Sequence, residues 1–349
     1  MTILRPLFYL ALLAFIIAAP FLAPDFKTQL ATLWVFIILA MTWDMTGGQM
    51  GYNSLGNILF FGAGMYIAAI VTIAIAYDVG EYTNAFGGGV YKFTNTQYFV
   101  GMGLGLLLAG LLSAAIAWIM GYLLFQFRGP YFAIGTLGAA IAAGELVSNW
   151  EWVGGGQGIA LPVYPSTDPE MNKFFFYYLF AATGVILFIF LRWLYGTRFA
   201  GAINAIRDDE EKAEAMGLHT LRYKQVTWAI SAFFVGIVGG ISGFQNIHFE
   251  PLETAFQTIN LGIFMVVCVL LGGKGTLWGP IIGAILFHVV KEVTWNYLLG
   301  WQWVALGALI VITVVYFQDG LMGWLARVKP EWFGERVQKK PDMIAEPAE

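Results

Sequence analysis

The chain has 349 residues, of which 59% are hydrophobic and 11% are charged, whereas about 25% of the residues in soluble domains are charged. So few charges exclude a soluble globular protein, and an aromatic content of 17% excludes intrinsic disorder. A net charge of −4 without a basic face argues against a nucleic-acid partner. One cysteine and three histidines are too few for a disulfide framework or for a Cys- or His-based metal site. The composition predicts an all-α, polytopic integral membrane protein.

A membrane span needs about 20 mostly apolar residues to cross about 30 Å of hydrocarbon. The hydropathy pattern predicts eight to ten spans, because residues 257–292 fit either two spans or one re-entrant pair. The first span resembles a signal peptide, but Pro24 follows the expected cleavage point and more spans come at once, so we expect an uncleaved helix. The spans are predicted at 7–23, 28–46, 56–77, 99–125, 130–148, 174–195, 226–246, 257–272, 277–292 and 300–318.

Lysine and arginine predict the orientation, because both are enriched in cytoplasmic loops. With both termini in the cytoplasm, fourteen basic residues lie inside and four outside. Residues 1–318 are therefore predicted to form a transmembrane domain, and residues 319–349 a cytoplasmic C-terminal tail that is disordered at 341–349. The inner residues are Arg5, Arg128, Arg192, Arg198, Arg207, Lys212, Arg222, Lys224, Lys274, Arg327, Lys329, Arg336, Lys339 and Lys340. The outer residues are Lys27, Lys92, Lys173 and Lys291.

Two segments on the predicted outer side, 78–98 and 149–173, are longer than hairpins. Both mix glycine, proline and asparagine with aromatic residues, which is typical of interfacial loops anchored by aromatic rings. Gly87–Gly89 lies in the first segment and Pro165 in the second. The predicted aromatic anchors are Tyr82, Tyr91, Tyr98, Trp150, Trp152 and Tyr164.

The segment 198–224 holds ten charged residues between two predicted spans. Its apolar residues recur at helical spacing, and Gly217 follows them as a C-cap, which predicts a short helix at about 202–216 outside the bilayer. Such a helix is either a solvated loop or a docking helix that fits a groove on a soluble partner. The apolar positions are Ile203, Ile206, Ala213 and Met216.

The order of several motifs resembles the permease subunits of branched-chain amino acid ABC importers, a family for hydrophobic amino acid uptake. The matching stretches cover most of residues 47–290 in the family's order. They are Gly51–Tyr66 with its Ser-Leu-Gly and Phe-x-Gly-x-Gly patterns, Arg128–Leu137, Arg198–Gly217 with its acidic run, Tyr223–Gly240, and Leu271–Pro280 with its Leu-Gly-Gly-x-Gly pattern.

The resemblance implies an importer permease in the bacterial inner membrane, in contact with membrane lipid. It implies two ABC ATPase subunits that bind ATP and Mg, a second related permease subunit, and an extracytoplasmic solute-binding protein at the outer loops. This chain is then expected to bind no cofactor or metal and to have no catalytic residues. Residues 198–217 correspond to the coupling helix that seats on an ATPase subunit. The residues assigned to coupling are Arg198, Ile203, Ile206, Arg207, Glu214, Ala215 and Gly217.

Gly273-Lys274-Gly275 invites comparison with a phosphate-binding loop. A Walker A motif has a glycine six residues before its lysine and Ser or Thr directly after it. Lys274 has Cys268 and Gly275 at those positions. The glycines therefore predict a tight turn, and the ATPase is expected to be a separate chain.

The start of the third span combines glycines with polar side chains. Gly51, Gly56, Gly62 and Gly64 fit close helix packing, but polar groups at this depth favour a cavity. We therefore predict that residues 47–54 border the translocation path. The residues predicted to line the path are Gln49, Tyr52, Asn53, Ser54, Tyr131, Thr136 and Glu145.

Two carboxylates lie within predicted spans, Asp44 near the inner end of the second and Glu145 toward the outer end of the fifth. Ionisable residues in spans are functional candidates because they are costly there. Both lie near an interface, so snorkelling or an interhelical bond is an equal alternative.

The cargo stays open between branched-chain or other small amino acids, urea or amides, and another small solute. The family often has Glu or Gln where this chain has Ile141, and Thr-Gly-Gly where it has Val153-Gly-Gly. An ion-coupled secondary carrier is the alternative from another class, but it needs charged sites near the midplane. An intramembrane enzyme is a third class, but the sequence has no paired carboxylates, no Ser/His pair at matched depth and no metal ligands to support it.

Overall fold

The computed structural model describes residues 4–85, 91–164, 168–297, 300–316 and 320–328. These residues are mostly helical, which confirms the all-α polytopic fold. The first helices are α1 (Leu4–Leu22), α2 (Lys27–Asp44), α3 (Asn57–Ala74), α4 (Val79–Asn84), α5 (Asn95–Leu124), α6 (Pro130–Ser148) and α7 (Pro169–Leu194). The later ones are α8 (Arg198–Asp208), α9 (Glu210–Ala215), α10 (Thr220–Asn246), α11 (Phe264–Gly272), α12 (Gly279–Tyr297), α13 (Gln302–Tyr316) and α14 (Gly320–Val328).

Six apolar segments in the described ranges are long enough to cross a membrane, and they contain α2, α3, α5, α6, α7 and α10. Three shorter apolar segments, Leu7–Leu22, Leu261–Gly272 and Trp303–Ile312, coincide with three further predicted spans. The 19-residue α12 overlaps the remaining predicted span, 277–292. The total of eight to ten spans stays a prediction.

Helices α3, α5 and α10 form the most closely packed part of the bundle. Glycines permit this contact, because a Cβ at Gly64 would collide with the Gly236 carbonyl, and one at Gly239 with the Phe61 carbonyl. Packing of small residues is the usual way in which helices approach one another in membranes. Packing also accounts for Gly56 and Gly62 of the third span, since both face neighbouring groups within the bundle.

Helix α2 lies between this trio and a second group of helices, α7, α11 and α12. The tight turn predicted at Gly273–Gly275 joins α11 to α12, and both glycines have positive φ. Helix α14 packs against α11 and α12, so residues 320–328 of the predicted tail form a packed helix. The predicted disordered stretch 341–349 lies outside the described residues.

Two segments depart from regular helix at opposite ends of the bundle. Helix α2 continues as a wide π-helical turn, Met45–Gln49, followed by an open loop to Gly56. At the other end α10 leads into strand β2 (His248–Phe249) and two π-helical turns, Pro251–Ala255 and Thr258–Ile263.

The segment before α7 contains strand β1 (Ile159–Ala160), which pairs antiparallel with β2. Trp150 and Trp152 are exposed, as interfacial anchors are expected to be. Tyr82 and Tyr98 are buried, so the anchor prediction is wrong for these two. Tyr82 packs in a ring cluster with Tyr77, and the Tyr98 ring contacts core side chains. Gly87–Gly89 and Pro165 lie outside the described residues.

We predict that Gly64→Ala destabilises the protein, because the added methyl has no room between α3 and α10. Overpacking of this kind costs about 1–3 kcal/mol. Gly103→Ala is the matched control, since a Cβ at this helical glycine meets no atom within 4 Å. The unfolding temperature in detergent should fall for Gly64→Ala alone, and an equal fall in both variants would contradict the packing argument.

Candidate coupling and translocation sites

The charged segment folds as two helices, α8 and α9, instead of the single helix predicted at about 202–216. The break is at Asp209, whose backbone is extended (φ −163°, ψ 104°). Its carboxylate caps α9 by accepting a hydrogen bond from Lys212 N at 3.1 Å. Aspartate favours such caps because its side chain competes with the backbone for hydrogen bonds. Gly217 ends the segment with φ +89°, consistent with its predicted capping position.

The apolar face of α8 and α9 packs inward on the membrane bundle. Ile203, Ile206 and Ala213 are buried, so this face is not free for a soluble partner. Met216 was expected on the same face, but it is 86% exposed because it follows the end of α9. The surface available for docking is carried by the exposed residues Arg198, Arg207, Glu214, Ala215, Met216 and Gly217.

Glu210, at the start of α9, lies in a polar cluster with the buried Tyr52 and Lys224 and with Arg128 at its exposed edge, which we call the Glu210 cluster. Lys224 Nζ lies 2.6 Å from Glu210 Oε1 and 3.2 Å from the Tyr52 hydroxyl. The Tyr52 hydroxyl donates to Glu210 Oε2, and Arg128 Nε lies 3.9 Å from the same oxygen. The side chains of Lys224 and Glu210 are only 4% and 12% exposed.

Glu210 is ionised in this cluster. Burial raises the pKa of its carboxyl, but the hydrogen bonds from Lys224 and Tyr52 outweigh burial and hold the pKa below its ordinary value. Burial and the neighbouring Glu210 carboxylate raise the pKa of Tyr52, so Tyr52 stays a neutral donor. A buried charge is tolerated when it is paired and hydrogen-bonded, and both conditions are met here.

Arg207, at the end of α8, contacts the same loop that Glu210 contacts through Tyr52. Its Nη1 lies 3.4 Å from the Gly48 carbonyl oxygen, and the backbone of Gly51 passes close to its side chain. Gly51 has φ +82°, which favours glycine. The residues on either side of the Asp209 break therefore contact the same segment, the π-helical turn and loop at 45–56.

Asp44 joins this region to the α11–α12 turn. Its Oδ1 accepts a hydrogen bond from Gly275 N at 2.7 Å, and its side chain is buried. The interhelical bond is therefore the alternative that the structure supports for Asp44. Gly48 has no room for a side chain, because a Cβ there would collide with Asp44 and Gly275.

The residues at 49–54 that are predicted to line the path differ from one another in their surroundings. Tyr52 belongs to the Glu210 cluster, Gln49 and Ser54 are buried, and Asn53 is exposed. The loop contacts α6, because Leu55 N donates to Thr136 Oγ1 at 3.1 Å. The loop directly after Ser54 thus packs against Thr136, and the Ser54 and Thr136 side chains are both buried.

Tyr131 and Glu145 lie on the exposed stripe of α6. The helix has apolar residues on both sides, and its opposite face is buried against the bundle at Phe132, Thr136, Ala140 and Gly144. Near its far end a pocket opens between α6 and the two π-helical turns that precede α11. The predicted path residues therefore divide into a packed group at one end of the bundle and an exposed stripe on α6.

A family model described as branched-chain amino acid transport system, permease component, matches residues 27–314. The chain belongs to this family. It is 28% identical to the high-affinity branched-chain amino acid transport system permease proteins LivM of Salmonella typhimurium and Escherichia coli, with 92% of this chain and 76% of each relative covered. It is 22% identical to a probable branched-chain amino acid transport permease protein LivM of Methanocaldococcus jannaschii, over 83% of this chain and 91% of the relative. No solved structure matches the chain.

Family membership identifies a membrane permease of the ABC transporter class, but the Glu210 cluster is not visible in the sequence. Lys224 belongs to a motif of the resemblance, and Glu210 to its acidic run, yet nothing local pairs them across 14 residues and a turn. The sequence gives only a partial indication of this pair, namely the opposite charges of the two residues. A lysine next to an apolar span needs a counter-ion when it is buried. The pocket beside α6, with Glu253 and Gln257, carries no motif at all.

We predict that Lys224→Met destabilises the protein by about 3–5 kcal/mol, because it leaves the buried Glu210 carboxylate without its ammonium partner. Glu210→Gln should be destabilising for the reciprocal reason. The double variant should lose less than the sum of the two, since no uncompensated charge remains. The measurement is the unfolding temperature of all three variants in detergent.

Lys212→Met is the matched control. Lys212, like Lys224, pairs with a carboxylate of this segment (Asp209), but its side chain is 83% exposed. Exposed pairs contribute about 0–1 kcal/mol. Strict additivity of the two cluster variants, or equal loss in the control, would show that the Glu210–Lys224 pair is not the stabilising contact.

Proposed function

We propose that the chain is the transmembrane permease subunit of an ATP-driven importer for branched-chain or other small amino acids. The observation that carries the proposal is the double contact of α8 and α9 with the 45–56 segment, through Arg207 on one side of the break and Glu210 on the other. A charged segment outside the bundle is thereby fixed to a polar loop between two spanning helices. The names of the family and of the relatives supply the cargo class.

ATP binding and hydrolysis are assigned to two partner ATPase subunits. In this proposal they seat on the exposed surface of α8 and α9, where Met216 projects beyond the last turn. An exposed apolar side chain among charges is typical of the centre of an interface. The excess of basic residues on this side supports a cytoplasmic location for the segment and both termini.

The opposite end of the bundle is assigned to cargo delivery by a solute-binding protein. It carries the strand pair β1–β2 and the exposed Trp150 and Trp152. The exposed stripe of α6 is assigned to the second, related permease subunit and to the path between the two. Closure of the ATPases is then expected to displace α8 and α9, and with them the 45–56 segment, so that the path opens alternately to each side.

The proposal is tested by reconstitution into liposomes with and without the ATPase subunits, the second permease and the binding protein. We expect uptake of radiolabelled L-leucine that requires ATP and all partners. Uptake by this chain alone, unaffected by ATP, would instead indicate an ion-coupled carrier. Full assembly with ATP hydrolysis, but without uptake of L-leucine or of any other small amino acid, would show that the cargo class is wrong.

We predict that Met216→Glu strongly reduces co-purification of the ATPase subunits while leaving the fold intact, because a charge replaces the apolar side chain at the docking surface. The change is expected to lower ATPase recovery at least about tenfold, in keeping with the loss of a central interface residue. Val163→Glu is the control, since Val163 is 56% exposed at the opposite end of the bundle. Normal ATPase recovery with Met216→Glu would contradict the docking assignment.

A further inference from the structure

A pocket of about 330 Å³ opens between α6 and the two π-helical turns that precede α11. It lies at the end of the bundle opposite to α8 and α9, where α10 has ended and the backbone is no longer regular helix. Discontinuous helices of this kind form solute sites in many transporters. The pocket is lined by Ile141, Gly144, Leu252, Glu253, Phe256, Gln257 and Thr258.

Most of the lining is apolar, and two polar groups remain open. In the described part of the chain, the side chains of Glu253 and Gln257 form no ion pair or hydrogen bond with another residue. The Thr258 hydroxyl is already used, because it donates to the Phe256 carbonyl oxygen at 3.2 Å. A mostly apolar pocket with a few unengaged polar groups is the usual form of a small-molecule site.

Gly144 gives this pocket its depth. A Cβ at Gly144 would lie 3.1 Å from Leu252 Cδ2 and 3.2 Å from Phe256 Cβ, so a side chain there would press on the apolar wall. Glu145 follows on the exposed stripe of α6, one turn beyond Ile141. Glu253 is therefore the one carboxylate among the described residues that line the pocket, and no basic residue is among them.

We propose that this pocket is a solute subsite that recognises an ammonium group together with a small apolar side chain. Glu253 accepts hydrogen bonds from the ammonium, the Gln257 amide donates to the carboxylate of the solute, and Ile141, Leu252 and Phe256 contact its apolar side chain. An α-amino acid with an aliphatic side chain has all three features. Urea and simple amides lack the cation, and a lipid acyl chain lacks both polar groups. This inference rests on the proposed transport function and names the site at which that function selects its cargo.

The first experiment is thiol labelling of Thr258→Cys in the reconstituted full complex, with a cationic, water-soluble methanethiosulfonate reagent. The background from this chain is low because Cys268, its one cysteine, is fully buried. We expect the new thiol to react, and millimolar L-leucine, added without binding protein, to slow the reaction several-fold. 4-Methylpentanoate, which lacks the ammonium, and urea should not slow it.

Ile186→Cys on α7 is the control for a position in lipid, since Ile186 is 59% exposed on a spanning helix, and it should not react. A Thr258→Cys thiol that is as unreactive as this control shows that the pocket is filled by lipid or by a partner helix, and overturns the proposal. Reaction that L-leucine does not slow, or that 4-methylpentanoate slows equally, also overturns it.

The second experiment measures ATP-driven uptake of L-leucine by Glu253→Gln. We expect a loss of about tenfold, the size associated with a hydrogen bond to a charged group, with partial recovery in Glu253→Asp and unchanged ATPase assembly. Glu81→Gln is the control, because Glu81 is an exposed carboxylate on α4, outside the pocket. Normal uptake by Glu253→Gln overturns the subsite, whereas absence of uptake in the wild-type complex overturns the proposed function itself.

Discussion

The ion pair between Glu210 and Lys224 is the contact on which the functional arrangement depends. It joins the charged segment outside the bundle to the first turns of α10, and Tyr52 joins both to the loop between α2 and α3. Because the pair is buried, its members contribute only when both are present, and the loss of one leaves a costly isolated charge. The charged segment, the start of α10 and the distant loop that carries Tyr52 are thereby held in one position relative to each other.

Glycine packing and broken helices divide the bundle into rigid and adaptable parts. The trio α3, α5 and α10 is closely packed through Gly64, Gly236 and Gly239, which leaves little freedom for one helix to move against another. The two irregular segments, 45–56 and 251–263, lie at opposite ends of this trio. Irregular backbone inside a membrane protein is tolerated where protein or a cavity surrounds it. In this chain one segment contacts the coupling helices and the other borders the pocket.

The sequence predicts features that depend on local pattern and misses those that depend on distant pairing. Helix α6 was predicted at 130–148 and is found at Pro130–Ser148, because Arg-Gly-Pro at its start and a polar run at its end mark both boundaries. The sequence does not predict the break at Asp209, because the apolar residues on both sides of it keep helical spacing; its extended backbone and its cap on Lys212 N define the break. The pattern predicts Tyr82 at the interface, because the spacing of aromatic residues does not show that the rings of Tyr77 and Tyr91 pack against it. The Glu210–Lys224 pair and the α6 pocket arise from tertiary contacts, which no local pattern specifies.

Helix α10 connects the two ends of the proposed mechanism. Its first turns carry Lys224, and beyond Asn246 the chain passes through β2 directly into the π-helical turns that bear Glu253 and Gln257. A helix of 27 residues spans about 40 Å, so this single element extends from the Glu210 cluster to the pocket. Since α10 is packed against α3 and α5 along its length, a displacement at Lys224 is passed on by the whole trio, not absorbed by bending. The same ion pair that fixes α9 to the bundle therefore also links the proposed ATPase surface to the proposed cargo site.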